Sequence, residues 1–201
     1  MRLRTRDLTE RLLLTLFLSV LCFHILEAIM AGASWVNGLV LVGEIMILGF
    51  VIFSRPAKEI SDKLSDWILG FGGTAAPLFV QPGGTAWVSE VDAGILFMVG
   101  IALTTMAKLS LNRSFGIVPA NRGVVTTGFY SVVRHPVYAT YMIGHAAFFL
   151  LNPTILNAAV YGIGFALQVG RMVAEEDVLS HDPAYESYRH TVRYRLVPGI
   201  F

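Results

Sequence analysis

The chain has 201 residues, 55% of them hydrophobic and 14% charged, with a formal net charge of +1 and a mean hydropathy of +0.64. Soluble domains carry about a quarter charged residues, so the composition argues against an ordinary soluble globule, and the near-zero net charge argues against a nucleic-acid partner. The one cysteine, Cys22, rules out an intrachain disulfide and a cysteine metal cluster, and no metal site is expected.

The predicted elements are six apolar runs, roughly Arg11–Met30, Gly38–Ser54, Trp67–Val80, Val91–Leu111, Val137–Leu151 and Thr154–Gly170. A helix needs about 20 apolar residues to cross about 30 Å of hydrocarbon. The first, second and fourth runs meet or approach that length. The third, fifth and sixth are short or glycine-rich, so five passes stand beside six. The expected fold is therefore an all-α polytopic membrane bundle of five or six transmembrane helices.

Before the first run lies the basic stretch Met1–Arg11. It resembles a signal peptide in charge, but the apolar stretch is long and the small residues Ala31-Gly-Ala33 lie past a full span, so retention as a membrane helix is expected. Cys22 falls inside this run and reads as a packing residue, while His24 and Glu27 fall in its outer half. Glu44 falls within the second run and His145 within the fifth; ionisable groups at such depth are costly and face protein or water. For Glu44 two readings stand, a cavity-lining group and a helix-packing contact. In the third run, Phe71-Gly-Gly-Thr-Ala-Ala-Pro77 loosens the helix and allows close packing. Gln81-Pro-Gly-Gly84 reads as a turn.

All fifteen Lys and Arg residues fall on one side of this arrangement: Arg2 to Arg11, Arg55 to Lys63, Lys108 to Arg134, and Arg171 to Arg195. The segments Ala31–Asn37, Gln81–Glu90 and Asn152–Pro153 hold none. Basic residues near helix ends are retained in the cytoplasm, which places both termini there, in a bacterial inner membrane. Two parts follow: residues 1–90, apolar passes, and residues 91–201, a denser subdomain holding most of the chemistry.

Within that second part a cytoplasmic connection runs from Asn112 to Tyr138, too long for a plain connector and too aromatic for disorder. It ends in Gly128-Phe-Tyr-Ser-Val-Val-Arg-His-Pro-Val-Tyr138. Pro136 suits the first turn of a helix, whose free N–H groups then face Tyr130, Arg134, His135 and Tyr138 and suit an anion such as a carboxylate. A positive-inside arginine with interfacial tyrosines is the plainer alternative. A helical hairpin turning at Asn152-Pro153 follows, then Arg171-Met-Val-Ala-Glu-Glu176. Arg171 and Glu175 share a helix face and Glu176 points elsewhere; this is either a surface ion pair or a ligand-holding pair of carboxylates.

Taken together, Gly-x-Tyr-x-x-x-Arg-His-Pro-x-Tyr at 128–138, the hairpin, Arg171-x-x-x-Glu175-Glu176 and Tyr185-x-x-Tyr188 resemble the isoprenylcysteine carboxyl methyltransferase family of membrane enzymes, and more distantly the phospholipid N-methyltransferases. The resemblance covers about residues 110–195 and does not extend to Phe115–Asn121 or to the N-terminal passes. It implies S-adenosylmethionine (SAM) bound on the cytoplasmic side. The implied cofactor contacts are Arg122, Gly123, Val124, Val125, Tyr130, His135, Pro136, Val137, Tyr138 and Glu175, with Glu176 beside it. The implied catalytic residue is Arg171, which with Arg134 binds the acceptor. The membrane setting favours a lipophilic acceptor reaching the site from the bilayer, most simply a carboxylate, which needs no general base. A phospholipid or thiol acceptor within the same family, an NADPH-dependent reductase of sterol-reductase type using Arg122, Arg134 and Arg189, and a non-catalytic scaffold are the alternatives.

Overall fold

The computed structural model describes residues 2–32 and 36–201. The expected segment Ala31–Asn37 therefore lies partly outside the described residues, and Ala33 with it.

The fold is helical. Helix α1 spans Arg2–Met30. No Gly or Pro interrupts it, so the helix begins well before the apolar run, and its basic first turns belong to it. Its buried residues Asp7, Glu10, Leu14 and Leu18 recur at helical spacing along one face. Helix α2, Val36–Ile52, packs along α1. Helix α3, Leu64–Ala75, is short. Pro77 lacks an N–H, and the chain there tightens into a 3-10 turn at Ala76–Phe79. Helix α4, Glu90–Leu111, starts on the Ser89 hydroxyl, which accepts from Asp92 N. Helix α5 is Pro136–Leu151, with the proline in its first turn. Helix α6, Ile155–Leu179, starts on Thr154, whose hydroxyl accepts from Asn157 N. Helix α7, Pro183–Thr191, starts on Asp182. The strands β1, Glu59–Ile60, and β2, Ala120–Asn121, pair antiparallel, with Glu59 opposite Asn121.

Helices α1 and α4 are long and apolar enough to cross a membrane; α2 and α5 are shorter apolar helices. Helix α2 has 17 residues, close to the length of the second expected run. The third, a 12-residue helix, rises only about 18 Å before its proline. The last run continues through Arg171 and Glu176 as one helix, α6, in keeping with the shared face expected for Arg171 and Glu175.

The turn at Asn152–Thr154 joins α5 and α6, but the two do not pack tightly together as the expected hairpin. Helix α5 lies along α4, and α6 lies against α3. The α4–α5 crossing is close enough that a side chain at Gly100 would meet Gly144 N at 2.9 Å, so glycine is required there. Contacts cross position 90, with α3 packing on α6 and β1 pairing with β2.

Hydrogen bonds tie the loops into two ends. At one end Arg55 N donates to Arg113 O and Lys58 N to Asn121 O, while Lys63 pairs with Asp177. At the other, Asn157 Nδ2 donates to Gln81 O and Trp87 N to Leu150 O. The basic loops gather at the first end. Between the ends, large apolar side chains face outward, among them Leu12 (70% exposed), Leu16 (64%) and Ile163 (61%). The core holds Leu14, Leu18, Ile47, Val51 and Ile117, next to the cavity described below.

Candidate functional site

The connection from Asn112 to His135 is anchored from beneath by α1. The Glu10 carboxylate, 1% exposed, accepts from Ile117 N (2.7 Å) and Val118 N (2.9 Å) through Oε1. Its Oε2 accepts from Arg122 Nη2 at 2.5 Å. Arg122 Nη1 donates to Asp7 Oδ1 at 2.6 Å. Two carboxylates on the first turns of α1 thus fix the loop. At Gly116 an added side chain would press on Arg122 Nε at 2.9 Å.

A second ionic cluster closes the other side. Arg134 Nε donates to Glu176 Oε1 (2.8 Å), which also lies 3.1 Å from His135 Nε2. Arg195 donates to Glu176 Oε2 from Nε and Nη2. Burial opposes ionisation of Glu176, but the hydrogen bonds from His135, Arg195 and Arg134 outweigh it and hold its carboxyl far below the usual range. The C-terminal tail completes the clamp, with Arg134 N donating to Tyr194 O and His135 N to Arg195 O. Tyr188 Oη donates to Tyr130 O at 2.6 Å, so α7 lies over the 3-10 turn Gly128–Ser131. Gly128 there adopts φ +62°, in the left-handed region that glycine enters without penalty.

Between the clusters lies a cavity of about 270 Å³, close to the lower end of small-molecule sites at about 300 Å³. Glu175 and Tyr138 line it together, and Tyr138 Oη donates to Glu175 Oε2 at 2.9 Å. Arg171 forms no ion pair with Glu175, so of the two readings the surface pair is set aside. Arg171 is buried, its guanidinium lies 5.3 Å from the Tyr138 ring centre, and its Nη2 donates to Gly116 O at 2.9 Å. Burial, with the Glu175 carboxylate nearby, pushes the Tyr130 phenol well above its ordinary value. Tyr185 and Gln168 also line the cavity, with Tyr185 Oη and Gln168 Oε1 themselves buried.

The cavity brings together Gly123, Val124, Val125, Tyr130, His135, Val137, Tyr138, Arg171 and Glu175. Pro136 and Glu176 do not line it. Pro136 is the helix-starting residue behind the wall, and Glu176 faces the arginine cluster. Arg122 and Arg134 reach the wall, but their guanidinium groups are held by Asp7 and Glu10 and by Glu176, so they brace the site. Sequence reasoning missed Asp7 and Glu10; their three-residue spacing within the basic leader was the available signal. It also missed Lys108, Tyr141 and Gln168, each reading as an ordinary helix residue. Glu44 lines the cavity. Among the described residues no group of three or more His, Cys, Asp or Glu is placed to hold a metal ion.

The fold and cavity define a helical protein with two apolar helices of membrane-crossing length and a cavity lined by residues of both the loops and the helices. A match to the family described as "Protein of unknown function (DUF1295)" covers residues 75–192, more than half of the chain, and the chain belongs to that family. It is also similar to the nickel-cobalt-cadmium resistance protein NccN of Alcaligenes xylosoxydans xylosoxydans, 28% identical over 123 residues, which are 59% of this chain and 55% of that protein. The match thus spans about half of that relative's length.

Proposed function

We propose that this chain is an integral membrane methyltransferase that transfers a methyl group from SAM to a lipophilic acceptor. The observation that carries the reading is the cavity that Tyr138 and Glu175 share. Outward-facing apolar side chains on α1 and the gathering of basic loops at one end favour a multi-pass topology with that end in the cytoplasm.

The donor set fits the cofactor. Glu175 carries a carboxylate with one protein donor, able to accept from an amino group or ribose hydroxyls. Tyr130 and Tyr138 offer aromatic surface beside a cation or adenine. When bound, SAM supplies an electrophilic methyl group on a sulfonium. The protein's part is positioning and exclusion of water. Arg171, held by Gly116 O and the Tyr138 ring, presents its remaining donors to an acceptor anion. The clamp of Arg134, His135, Glu176 and Arg195 fixes the start of α5.

Calorimetric titration of the purified, folded chain with SAM tests the reading, and saturable one-site binding is expected. NADPH titrated in parallel should give none, since of the arginines suited to its extra phosphate Arg122 and Arg134 are held by buried carboxylates and Arg189 pairs with Glu186. Absence of SAM binding to folded protein would sink the proposal.

A further inference from the structure

Among the described residues, the buried charged side chains at the basic end have hydrogen-bonding partners with one exception. Asp7 and Glu10 meet Arg122, Glu176 meets Arg134, His135 and Arg195, Asp66 accepts from Ser61, and Arg171 donates to Gly116 O. The exception is Lys108. It is 6% exposed, and its ammonium makes no hydrogen bond or ion pair with any described residue. It lies 5.1 Å from the Tyr141 ring centre. The carbonyl end of α4 nearby offers partial charge but no counter-ion.

Glu44, on α2, lines the same cavity and likewise has no hydrogen bond or ion pair among the described residues. It is near enough to feel the charge of Lys108, yet the two stay beyond ion-pair contact. Glu44 is half-buried, and both charged heads open onto the cavity rather than being sealed in protein; an ionisable group at this depth in an apolar bundle marks a ligand path. Along α5, Tyr138 and Tyr141 stand one helical turn apart. Arg171 lies over the first ring and Lys108 over the second. The cavity therefore carries a second polar level, deeper than Glu175.

We propose that Lys108 and Glu44 form a head-group subsite for the acceptor, which is an amphiphile bearing an anionic oxygen and an N–H or O–H donor on one head. The inference deepens the methyltransferase reading and rests on it for the word acceptor. The anionic oxygen meets the Lys108 ammonium, and the donor meets the Glu44 carboxylate. A plain hydrocarbon alcohol would leave Lys108 without a counter-charge, and a simple anion without a donor would face Glu44 unrelieved. One ligand carrying both groups satisfies both side chains. Two sources share this chemistry, an acylated amino acid and an amine-bearing phosphate ester.

The test is binding of N-dodecanoylglycine and of dodecylphosphoethanolamine to the full chain in neutral detergent, followed by calorimetry. N-dodecanoylglycine methyl ester, dodecanoate and dodecanol serve as controls. One of the two head groups should bind more tightly than all three controls, and which of them does identifies the source. Lys108→Met and Glu44→Gln should each weaken it about tenfold or more, the loss of one charged hydrogen bond. Lys108→Arg should retain most of the binding. Equal binding of dodecanol, or full binding by the Glu44→Gln/Lys108→Met double variant, would overturn the subsite and leave the two residues as packing. The SAM titration separates this from the broader reading. Lys108-dependent binding without SAM binding removes the methyltransferase and keeps the subsite, whereas SAM binding with no head-group dependence removes the subsite alone.

Discussion

Adjacent positions on a helix point about 100° apart, and Glu175 and Glu176 show what that separation does. Glu175 turns into the cavity and accepts from Tyr138, whereas Glu176 turns into a knot of Arg134, His135 and Arg195. The two carboxylates therefore have different tasks. Glu175→Gln should weaken SAM binding by about 1.5–3 kcal/mol, the range for a hydrogen bond to a charged group; calorimetry on the variant reads this directly, and unchanged affinity would remove Glu175 from the cofactor site. The adjacency of the two acids was legible in the sequence. That the second is wholly taken up by three cationic or imidazole donors was not, because Arg195 reaches it through the fold of a tail that shows no regular pattern.

At the scale of elements, the site is a loop gripped from both sides. Helix α1 holds it through Asp7 and Glu10, and the C-terminal tail holds it through Glu176. Arg122→Ala would take the cationic partner from buried Glu10 and one of two from Asp7, which keeps Arg11, and removing one partner of such a buried pair costs about 3–5 kcal/mol. A melting temperature within error of the parent would contradict this. The Glu176 cluster carries a pH dependence of definite sign. Its folded-state carboxyl titrates below its ordinary value of 4.5, so its contribution is fully present above that value and lost as pH falls below it. Glu176→Gln should be less stable at neutral pH, and the difference from the parent should shrink as the pH drops under 4.5. A gap that widened on acidification would mean that the carboxylate is not held by these donors. Apolar runs and the proline at the start of α5 were readable from residue order. The shortness of α3 was also readable, from its glycines and Pro77, but the divergence of α5 from α6 was not, since it depends on which neighbour each helix finds.

At the scale of the molecule, the gathering of basic loops at one end makes sidedness measurable. In a Cys22→Ser background, Thr85→Cys lies in the loop before α4 and Ser187→Cys lies on α7, both exposed. In spheroplasts an impermeant maleimide should label the cysteine at 85 at once and that at 187 only after the membrane is opened; the reverse order would invert the proposed topology. By itself the sequence determined the apolar helical character, the segregation of Lys and Arg, and the cluster of Tyr, His, Arg and Glu in the second half, because hydropathy, charge and spacing are local properties. Only the tertiary structure decided which charges are neutralised and which remain open to a ligand. Asp7 and Glu10 lie more than a hundred residues from Arg122, and Lys108 and Glu44 stand apart on separate helices; pairing across such distances is set by helix packing, which residue order does not express.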